Sequence, residues 1–332
     1  MNVAVMGCGL IASRWIRTLV ADPRIEISAL IDVDEGAAAR LADRLDLTVA
    51  LAPDLDHALT LVPIDVVANL TPLASHSSTS HAALDAGLHV LSEKPLTLRL
   101  DEAESLVLRA RTGDRLLAVM QNRGQDPRFL AFRDLLHRAS KPPYTVTAEA
   151  FVSLHRPGFR SRQPQPATTD LAVHAFDQIR QLVAAPPIRL QCTETMTNFH
   201  GTHCSLATIC VDFADGSTFS YRGGFTPGTS LRTPAGGRWA AEGSGGGATW
   251  DGELAIAGTG RAIGTAEHRA PDAPSGHQAC LDSMIEALHD GTRPTCLAAD
   301  NLGTIALLEA AVTSAQAGHS VAITWPRTGA ST

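Results

Sequence analysis

The sequence lacks the patterns that mark a membrane protein or a nucleic-acid-binding protein. It has 332 residues and contains no uninterrupted apolar run of about 18 residues and no basic run interleaved with aromatic residues. The formal charge is −7, because 27 lysines and arginines stand against 34 aspartates and glutamates. A phosphate backbone attracts clustered positive charge, and a bilayer accepts long apolar helices. We therefore expect neither a membrane nor a nucleic acid as a partner.

Cysteine is also scarce, with six residues and no Cys-x-x-Cys pair. This scattered set favours reduced, mostly buried thiols over a disulfide framework. The N-terminal segment MNVAVMGCGL has no basic residue before its apolar stretch, so we expect no secretory signal and a cytoplasmic protein. The histidines form no His-Glu-x-x-His motif or similar spacing, and we expect no metal site. The cysteines are Cys8, Cys192, Cys204, Cys210, Cys280 and Cys296.

The length and a change of pattern near residue 120 predict two domains. Domains usually contain about 100–200 residues, and a chain of this length buries enough surface for two cores. Strands alternate with amphipathic helices before that point, whereas strands with alternating apolar and polar residues follow it. We predict a first domain at 1–120 and a second at 121–332.

The first domain has the pattern of a doubly wound parallel sheet. A continuous apolar run, Val3–Met6, ends at Gly7 and is typical of a strand covered on both faces. Further strands are expected at 25–31, 64–70 and 89–91, with amphipathic helices between them. Strands that alternate with helices of this length imply parallel pairing with right-handed crossovers.

The second domain is expected to be an α+β domain with a large, mostly antiparallel open sheet. Apolar and polar residues alternate over 145–152. A short turn joins 204–213 to 218–225, which indicates a hairpin. Nine glycines in 223–247 predict a loop. Two amphipathic helices are expected at 278–289 and 301–317.

A glycine turn follows the first strand and opens the first helix. In the sequence GCGLIA, Gly7 permits a tight turn, Gly9 lets the backbone approach a pyrophosphate, and Ala12 lets the helix pack on the strand. Asp32 ends the second strand 25 residues after Gly7, where a carboxylate accepts hydrogen bonds from a ribose. Asp32 would repel a 2′-phosphate and Val33 offers no cation, which favours NAD over NADP. The alternative is a glycine-containing turn that binds no nucleotide.

Four further segments resemble the Gfo/Idh/MocA family of nicotinamide-dependent oxidoreductases. The turn Thr71-Pro72 precedes AGLHVLSEKP at 86–95, which is similar to the family's A-G-x-H-V-x-x-E-K-P. QNR at 121–123 resembles its entrance to the second domain, and DLAVHAFD at 170–177 resembles its D-x-G-x-H-x-x-D helix. The terminal helix is similar as well, so the resemblance covers essentially the whole chain.

The resemblance implies a Rossmann domain, an NAD cofactor and a homodimer or homotetramer. It also implies hydride transfer to or from a secondary alcohol or ketone of a sugar, inositol or related polyol. The implied catalytic residues are Lys94, Asp170 and His174. The implied cofactor-binding residues are Gly7, Gly9, Leu10, Ile11, Asp32, Thr71, Pro72, His76, Glu93, Lys94 and Asn122. The implied substrate-binding residues are Lys94, Arg123, His155, Asp170 and His174.

Elementary chemistry agrees with the implied catalytic set. Asp170, His174 and Asp177 are spaced by four and three residues, so an α-helix would carry them on one face. The imidazole has a suitable pKa to accept the hydroxyl proton, and the Lys94 ammonium would stabilise a developing alkoxide. Asp177 is equally well explained as a structural partner. One departure is Ala172, which stands where the family commonly has glycine.

Several alternatives remain at this point. A related class of enzyme retains NAD and oxidises transiently, so that elimination or glycoside cleavage follows; a third reading is a non-catalytic NAD-binding regulatory protein. We expect the sheet face that no helix covers to be apolar and to join copies of the chain. A cluster of basic residues either contacts an anionic or hydroxylated ligand or forms a solvated loop face. Those residues are Arg123, His155, Arg156, Arg160 and Arg162.

Overall fold

The chain folds into two compact units in a computed structural model that describes residues 1–153, 163–199, 202–259 and 275–326. The first unit contains Met1–Met120 and Cys280–Asn301, and the second contains Gln121–Ala279 and Leu302–Thr332. The boundary between Met120 and Gln121 lies at the same place as the boundary predicted from the sequence. The segment Cys280–Asn301 packs with the first unit, a return of the chain that the linear division into 1–120 and 121–332 does not include.

The first unit contains a six-stranded sheet in which all neighbouring strands are parallel. Its order is β3-β2-β1-β4-β5-β6, so the direction of strand addition reverses between β1 and β4. This is the doubly wound topology, and the prediction of a Rossmann sheet is confirmed. The strands are β1 Asn2–Met6, β2 Glu26–Ile31, β3 Ala50–Ala52, β4 Val66–Asn69, β5 His89–Ser92 and β6 Leu117–Val119.

Helices cover this sheet and fill its core. Trp15, Ile16 and Leu19 on the first helix are buried in one cluster with the strand residues Val3 and Val5. The helix Gly276–Asp290 contributes to the same cluster through its residues in the segment Cys280–Asn301. The helices are α1 Ala12–Val20, α2 Glu35–Leu45, α3 Leu55–Leu61, α4 His76–Asp85, α5 Leu100–Thr112 and α8 Gly276–Asp290, with a short 3₁₀ turn at Leu73–Ser75.

The second unit contains an eight-stranded sheet in the order β13-β12-β11-β7-β10-β9-β8-β14. Its pairs are antiparallel except for β7 with β10, which is parallel. The prediction of a large, mostly antiparallel sheet is confirmed. The strands are β7 Lys141–Ser153, β8 Pro187–Phe199, β9 Thr202–Phe213, β10 Thr218–Thr226, β11 Arg238–Ser244, β12 Gly246–Trp250, β13 Ala255–Thr259 and β14 Val321–Ala322.

Helices pack on one face of this second sheet. Phe129 is fully buried, with its ring centroid 6.0 Å from that of Trp239 and 5.9 Å from that of Trp250. A π-helical segment, Ala167–Ala172, runs directly into a regular α-helix. The α-helices are α6 Pro127–Ala139, α7 Val173–Leu182 and α9 Ala298–Ala317, and the residue after α9, Gly318, has a left-handed φ of +73°.

The opposite face of the sheet carries a polar row, so it is not the continuous apolar face that we expected. One row across five strands consists of Thr193, Thr208, Arg222, Glu149 and Arg238. All of these side chains are exposed except Glu149, which is half-buried. Threonine suits the pleated backbone and tolerates water, so this face is stable without an apolar partner.

About half of the glycine-rich stretch at 223–247 is strand, so the prediction of a loop is wrong for those residues, whereas residues 227–237 lie outside the strands. It contains the end of β10, all of β11 and the start of β12. A side chain at Gly224 would overlap the Ser205 carbonyl of β9, and one at Gly247 would lie 2.5 Å from the Ala241 carbonyl. The glycines therefore permit close approach of neighbouring strands, which composition alone does not distinguish from loop formation.

The cysteines behave as expected, since all six are free and five of them are buried, with Cys210 exposed. In the part of the chain that the structure describes, none of the helices combines the length and apolar character needed to cross a bilayer.

Candidate active site

The glycine turn after β1 packs directly against the backbone that follows β4. Gly7 has a φ of +95°, and its N–H donates to the Ile31 carbonyl at 2.8 Å. A Cβ atom at this position would lie 2.5 Å from the carbonyl oxygen of Leu70 and 2.7 Å from the amide nitrogen of Thr71. Because of both the positive φ and this contact, only glycine fits here.

The second half of the turn is open. A Cβ atom at Gly9 would meet no atom within 4 Å among the described residues. The Leu10 side chain is 85% exposed. Helix α1 then begins at Ala12 with no acidic residue in its first turn and no side-chain hydrogen bond at its N-cap within the described structure. Free amides and the positive end of a helix are what a pyrophosphate requires.

Asp32 holds this turn through the main chain. Its Oδ2 accepts a hydrogen bond from the Cys8 N–H at 2.7 Å, and its Oδ1 accepts one from the Asp34 N–H at 2.9 Å. Burial, followed by the nearby Asp32 carboxylate, raises the pKa of the Cys8 thiol to about 12, so the thiol is protonated at neutral pH. Sequence reasoning did not anticipate that Asp32 connects the end of β2 to the glycine turn.

Glu93 and Lys94 follow β5 at the same edge of the sheet. The Glu93 carboxylate accepts hydrogen bonds from the Trp15 indole N–H at 2.7 Å and from the Lys94 N–H at 2.8 Å. Glu93 therefore connects α1 to the loop after β5 and fixes the backbone at Lys94. The Lys94 side chain is half-buried.

His76 and Asn69 connect the loops after β4 and β5. The His76 ring nitrogens lie 2.7 Å from the Pro95 carbonyl oxygen and 2.9 Å from the Thr71 carbonyl oxygen. Desolvation by burial lowers the pKa of His76, which favours a neutral ring with a single N–H donor. Asn69 is fully buried and accepts a hydrogen bond from the Thr71 hydroxyl at 2.7 Å. Because its buried ring contacts main-chain oxygens of both loops, His76 stabilises their positions.

These contacts bring most of the predicted cofactor-binding residues together at the carboxyl edge of the first sheet. Parallel strands all end at this edge, and the strand order reverses there between β1 and β4. Of the predicted set, only Asn122 belongs to the second unit. Asn69 is the residue that sequence reasoning missed, although its position at the end of a strand in front of a Thr-Pro turn is a usable signal.

In the second unit, Asp170 and His174 lie on the π-helical segment and on α7. Asp170 is half-buried and His174 is 5% exposed. Two of the four residue steps between them are π-helical, with a turn of about 80° per residue against about 100° in an α-helix. The two side chains therefore stand about one full turn apart and share one side of the segment more closely than in a regular α-helix.

Asp177 has a structural environment. Thr304 Oγ1 and Gln181 Nε2 each donate to its carboxylate at 3.4 Å, and Arg180 lies 3.8 Å away. Burial raises the pKa of Asp177 to about 6, against the opposing effect of Arg180. Asp177 therefore connects α7 to α9.

Arg123 borders a small pocket within the second unit, together with residues of the sheet and of α7. The fully buried Tyr221 hydroxyl also faces this pocket, and burial raises its pKa. The remaining basic candidates lie outside the described residues: His155, Arg156, Arg160 and Arg162. Within the described ranges, no group of three or more potential ligand residues is placed to hold a metal ion.

A reversed-order parallel sheet, an open glycine turn at a helix N-terminus and a carboxylate at the end of β2 are together typical of dinucleotide-binding α/β proteins. Residues 1–121 match the model of the oxidoreductase family GFO_IDH_MocA, described as having an NAD-binding Rossmann fold. The first 121 residues are therefore similar to this oxidoreductase family.

Individual proteins that are similar to the chain include dehydrogenases as well. The scyllo-inositol 2-dehydrogenase (NADP(+)) IolW of Bacillus subtilis is 27% identical over 51% of this chain and 48% of its own length. The UDP-N-acetylglucosamine 3-dehydrogenase of Acidithiobacillus ferrooxidans is 28% identical over 55% of this chain and 56% of its own length. The chain thus spans about half the length of the curated relatives that it matches.

The fold resemblance extends further than the sequence matches. An oxidoreductase from Agrobacterium radiobacter, solved in complex with NAD+, L-tartaric acid and magnesium, has a TM-score of 0.81 at 19% identity. The match covers 97% of this chain and 98% of that protein. At this level of identity, the similarity establishes a shared fold over both units.

The glycine turn provides a matched pair of variants. We expect Gly7→Ala to lower the free energy of unfolding by about 1–3 kcal/mol, since alanine is strained at positive φ and overlaps the Leu70 carbonyl. Gly9→Ala should change it by less than about 0.5 kcal/mol, because the added methyl group meets open space. Urea denaturation measures both, and equal losses in the two variants would contradict this account of the turn.

Proposed function

We propose that the protein is an NAD-dependent oxidoreductase that transfers a hydride to or from a secondary alcohol or ketone of a sugar, inositol or related polyol. The observation that carries the proposal is the carboxyl edge of the first sheet. There the open turn at Gly9, the Asp32 carboxylate and Lys94 follow three strands of one parallel sheet. The match of residues 1–121 to the family model and the inositol and sugar-nucleotide dehydrogenases among the relatives support it.

The residues at this edge fit a dinucleotide. The amides after Gly9, at Leu10 and Ile11, would hold the pyrophosphate, because no side chain in the described structure caps them. Each oxygen of the Asp32 carboxylate accepts one main-chain N–H and has a further lone pair. These lone pairs would accept hydrogen bonds from the adenosine ribose. Thr71 and Pro72 would border the cofactor, with His76 and Glu93 as support, and Asn122 is assigned to the cofactor as well. When bound, the nicotinamide ring accepts or supplies the hydride.

The chain's own side chains carry the proton chemistry. We assign Lys94 to hold the substrate oxygen and to stabilise its negative charge as the hydroxyl proton leaves. His174 accepts that proton at an imidazole nitrogen, and Asp170, which shares one side of the segment, orients the ring or a neighbouring hydroxyl. Arg123 and His155 are assigned to the substrate's other polar groups. The activity is tested by incubating the protein with NAD and a panel of polyols and sugars and by measuring the absorbance of the reduced nicotinamide. Release of reduced cofactor during turnover would exclude the alternative enzyme class, which retains NAD and oxidises its substrate only transiently.

Cofactor choice should depend on Asp32 and Val33. We expect NAD to bind at least about tenfold more tightly than NADP, because the carboxylate repels a 2′-phosphate. Asp32→Ser combined with Val33→Arg should narrow or reverse this preference. Val33→Arg alone is the control, since Val33 is 93% exposed and its replacement leaves the Asp32 contact to Cys8 intact. Calorimetric titration with both cofactors measures the ratio, and equal wild-type affinities would refute the assignment.

His174 should be essential for turnover but not for cofactor affinity. We expect His174→Ala to lower kcat by about 10²–10⁴-fold and to leave the affinity for NAD nearly unchanged. Lys94→Ala should be at least as damaging to kcat, since it removes the contact to the developing charge. Steady-state kinetics with a substrate from the panel measures both. Near-wild-type turnover in a folded His174→Ala protein would move the proton-accepting role to Asp170 or Lys94.

We also propose that the chain forms a homodimer or homotetramer through the uncovered face of the second sheet. This face is broad and exposed in the single chain, with Thr208 and Arg222 near its centre. Thr208→Arg should weaken the assembly by adding bulk and charge, whereas Leu108→Arg, on an exposed helix position of the first unit, should not. Light scattering at micromolar concentrations decides, and a strictly monomeric wild-type protein would contradict the proposal.

A further inference from the structure

A carboxylate from the second sheet holds the start of the segment that carries Asp170 and His174. Glu194 lies on β8, and its carboxylate accepts hydrogen bonds from the Ala167 N–H and the Thr168 N–H, each at 3.0 Å. The hydroxyl of Ser205, on the neighbouring strand β9, donates to the same carboxylate. The Ala167 N–H also lies 3.3 Å from the Ser205 oxygen.

These bonds supply acceptors to amides at the start of the helical segment, and the Thr168 N–H also donates to the Gln165 carbonyl at 3.1 Å. The first N–H groups of any helical segment lack intrahelical partners. Here two strands of the sheet supply them, so the segment is fastened to β8 and β9 at its first two residues. The negative charge of Glu194 also lies at the positive end of the helical dipole, which adds to the attraction.

The backbone just before these amides is strained. Gln165 is not a glycine, yet it has a φ of +49°. Its carbonyl accepts hydrogen bonds from the Thr168 N–H at 3.1 Å and from the Thr169 N–H at 2.9 Å. Such a conformation persists only where surrounding contacts hold it, and the Glu194 carboxylate provides two of those contacts.

We infer that Glu194 is a positioning residue for the catalytic pair. The inference rests on the proposed function, in which Asp170 and His174 act on substrate. Thr168 precedes Asp170 by two residues, and His174 follows one turn later, so a shift at Thr168 displaces both side chains. Misplacement of catalytic groups by about 1 Å lowers the rate by as much as about 10²-fold.

Two variants and a matched control separate positioning from general stability. Glu194→Ala removes both acceptors, and Glu194→Gln keeps one carbonyl oxygen but places an NH₂ group where an acceptor is needed. The control is Asp251→Ala in the same unit, because it removes the one oxygen that accepts both bonds. Asp251 likewise accepts two main-chain hydrogen bonds, from Glu253 at 2.9 Å and Leu254 at 2.8 Å, but it does so between β12 and β13.

Hydrogen exchange measured by mass spectrometry tests the anchor without any substrate. We expect the peptide containing Ala167 and Thr168 to exchange at least about tenfold faster in Glu194→Ala, with a smaller increase in Glu194→Gln. Asp251→Ala should accelerate exchange around 251–254 and leave that peptide unchanged. Wild-type exchange at 167–168 in Glu194→Ala would overturn the inference.

Kinetics tests the consequence for the catalytic pair. At a temperature well below unfolding, Glu194→Ala should lower kcat by about 10–10²-fold with KM for NAD unchanged, and Glu194→Gln should recover part of the loss. Asp251→Ala should keep wild-type kcat even where its melting temperature falls as far as that of Glu194→Ala. A kcat loss of the same size in the control would show that Glu194 acts only through stability and would overturn the positioning role.

The outcomes distinguish this inference from the proposed function. If wild-type protein oxidises none of the polyols and sugars with NAD, the proposed function fails, while the exchange experiment still judges whether Glu194 anchors the segment. If the wild-type protein is active and Glu194→Ala keeps its kcat, the proposed function stands and the positioning role fails.

Discussion

The close approach of the Gly7 backbone to Leu70 is the constraint on which the first unit's site depends. It occurs where the strand order reverses, so the turns after β1 and β4 must share one small volume. Because no side chain fits at Gly7, the turn runs tightly and leaves Gly9 and the first amides of α1 facing outward. The open amides and the packed turn are therefore two consequences of one backbone contact.

Carboxylates that accept main-chain N–H groups recur at each candidate functional segment. Asp32 holds Cys8 in the glycine turn, Glu93 holds the amide of Lys94, and Glu194 holds Ala167 at the start of the π-helical segment. Hydrogen bonds to an ionised acceptor are stronger than neutral ones, and each of these fixes backbone instead of a mobile side chain. This arrangement explains how loops and helix starts, which are otherwise the least constrained parts of a fold, hold chemical groups in place.

The two sheets illustrate why composition predicts one and misdescribes the other. In the first sheet, continuous apolar strands and short glycine turns are local patterns, and they specify parallel pairing. In the second sheet, glycines such as Gly224 and Gly247 occur inside strands, because neighbouring backbones come too close for a side chain. Parts of the stretch expected as a loop at 223–247 therefore belong to β10, β11 and β12, and a polar row crosses the uncovered face that was expected to be apolar.

The sequence alone determined the fold class, the position of the glycine turn, Asp32 after β2, and the family motif around Lys94. Each of these depends on residues close together along the chain, where period and spacing carry the information. The tertiary structure decided that residues 280–301 pack with the first unit, that Asp177 is structural, and that Glu194 fastens the segment of His174. These depend on contacts between residues distant in sequence, and a glutamate in a strand looks the same whether it faces water or the start of a helix.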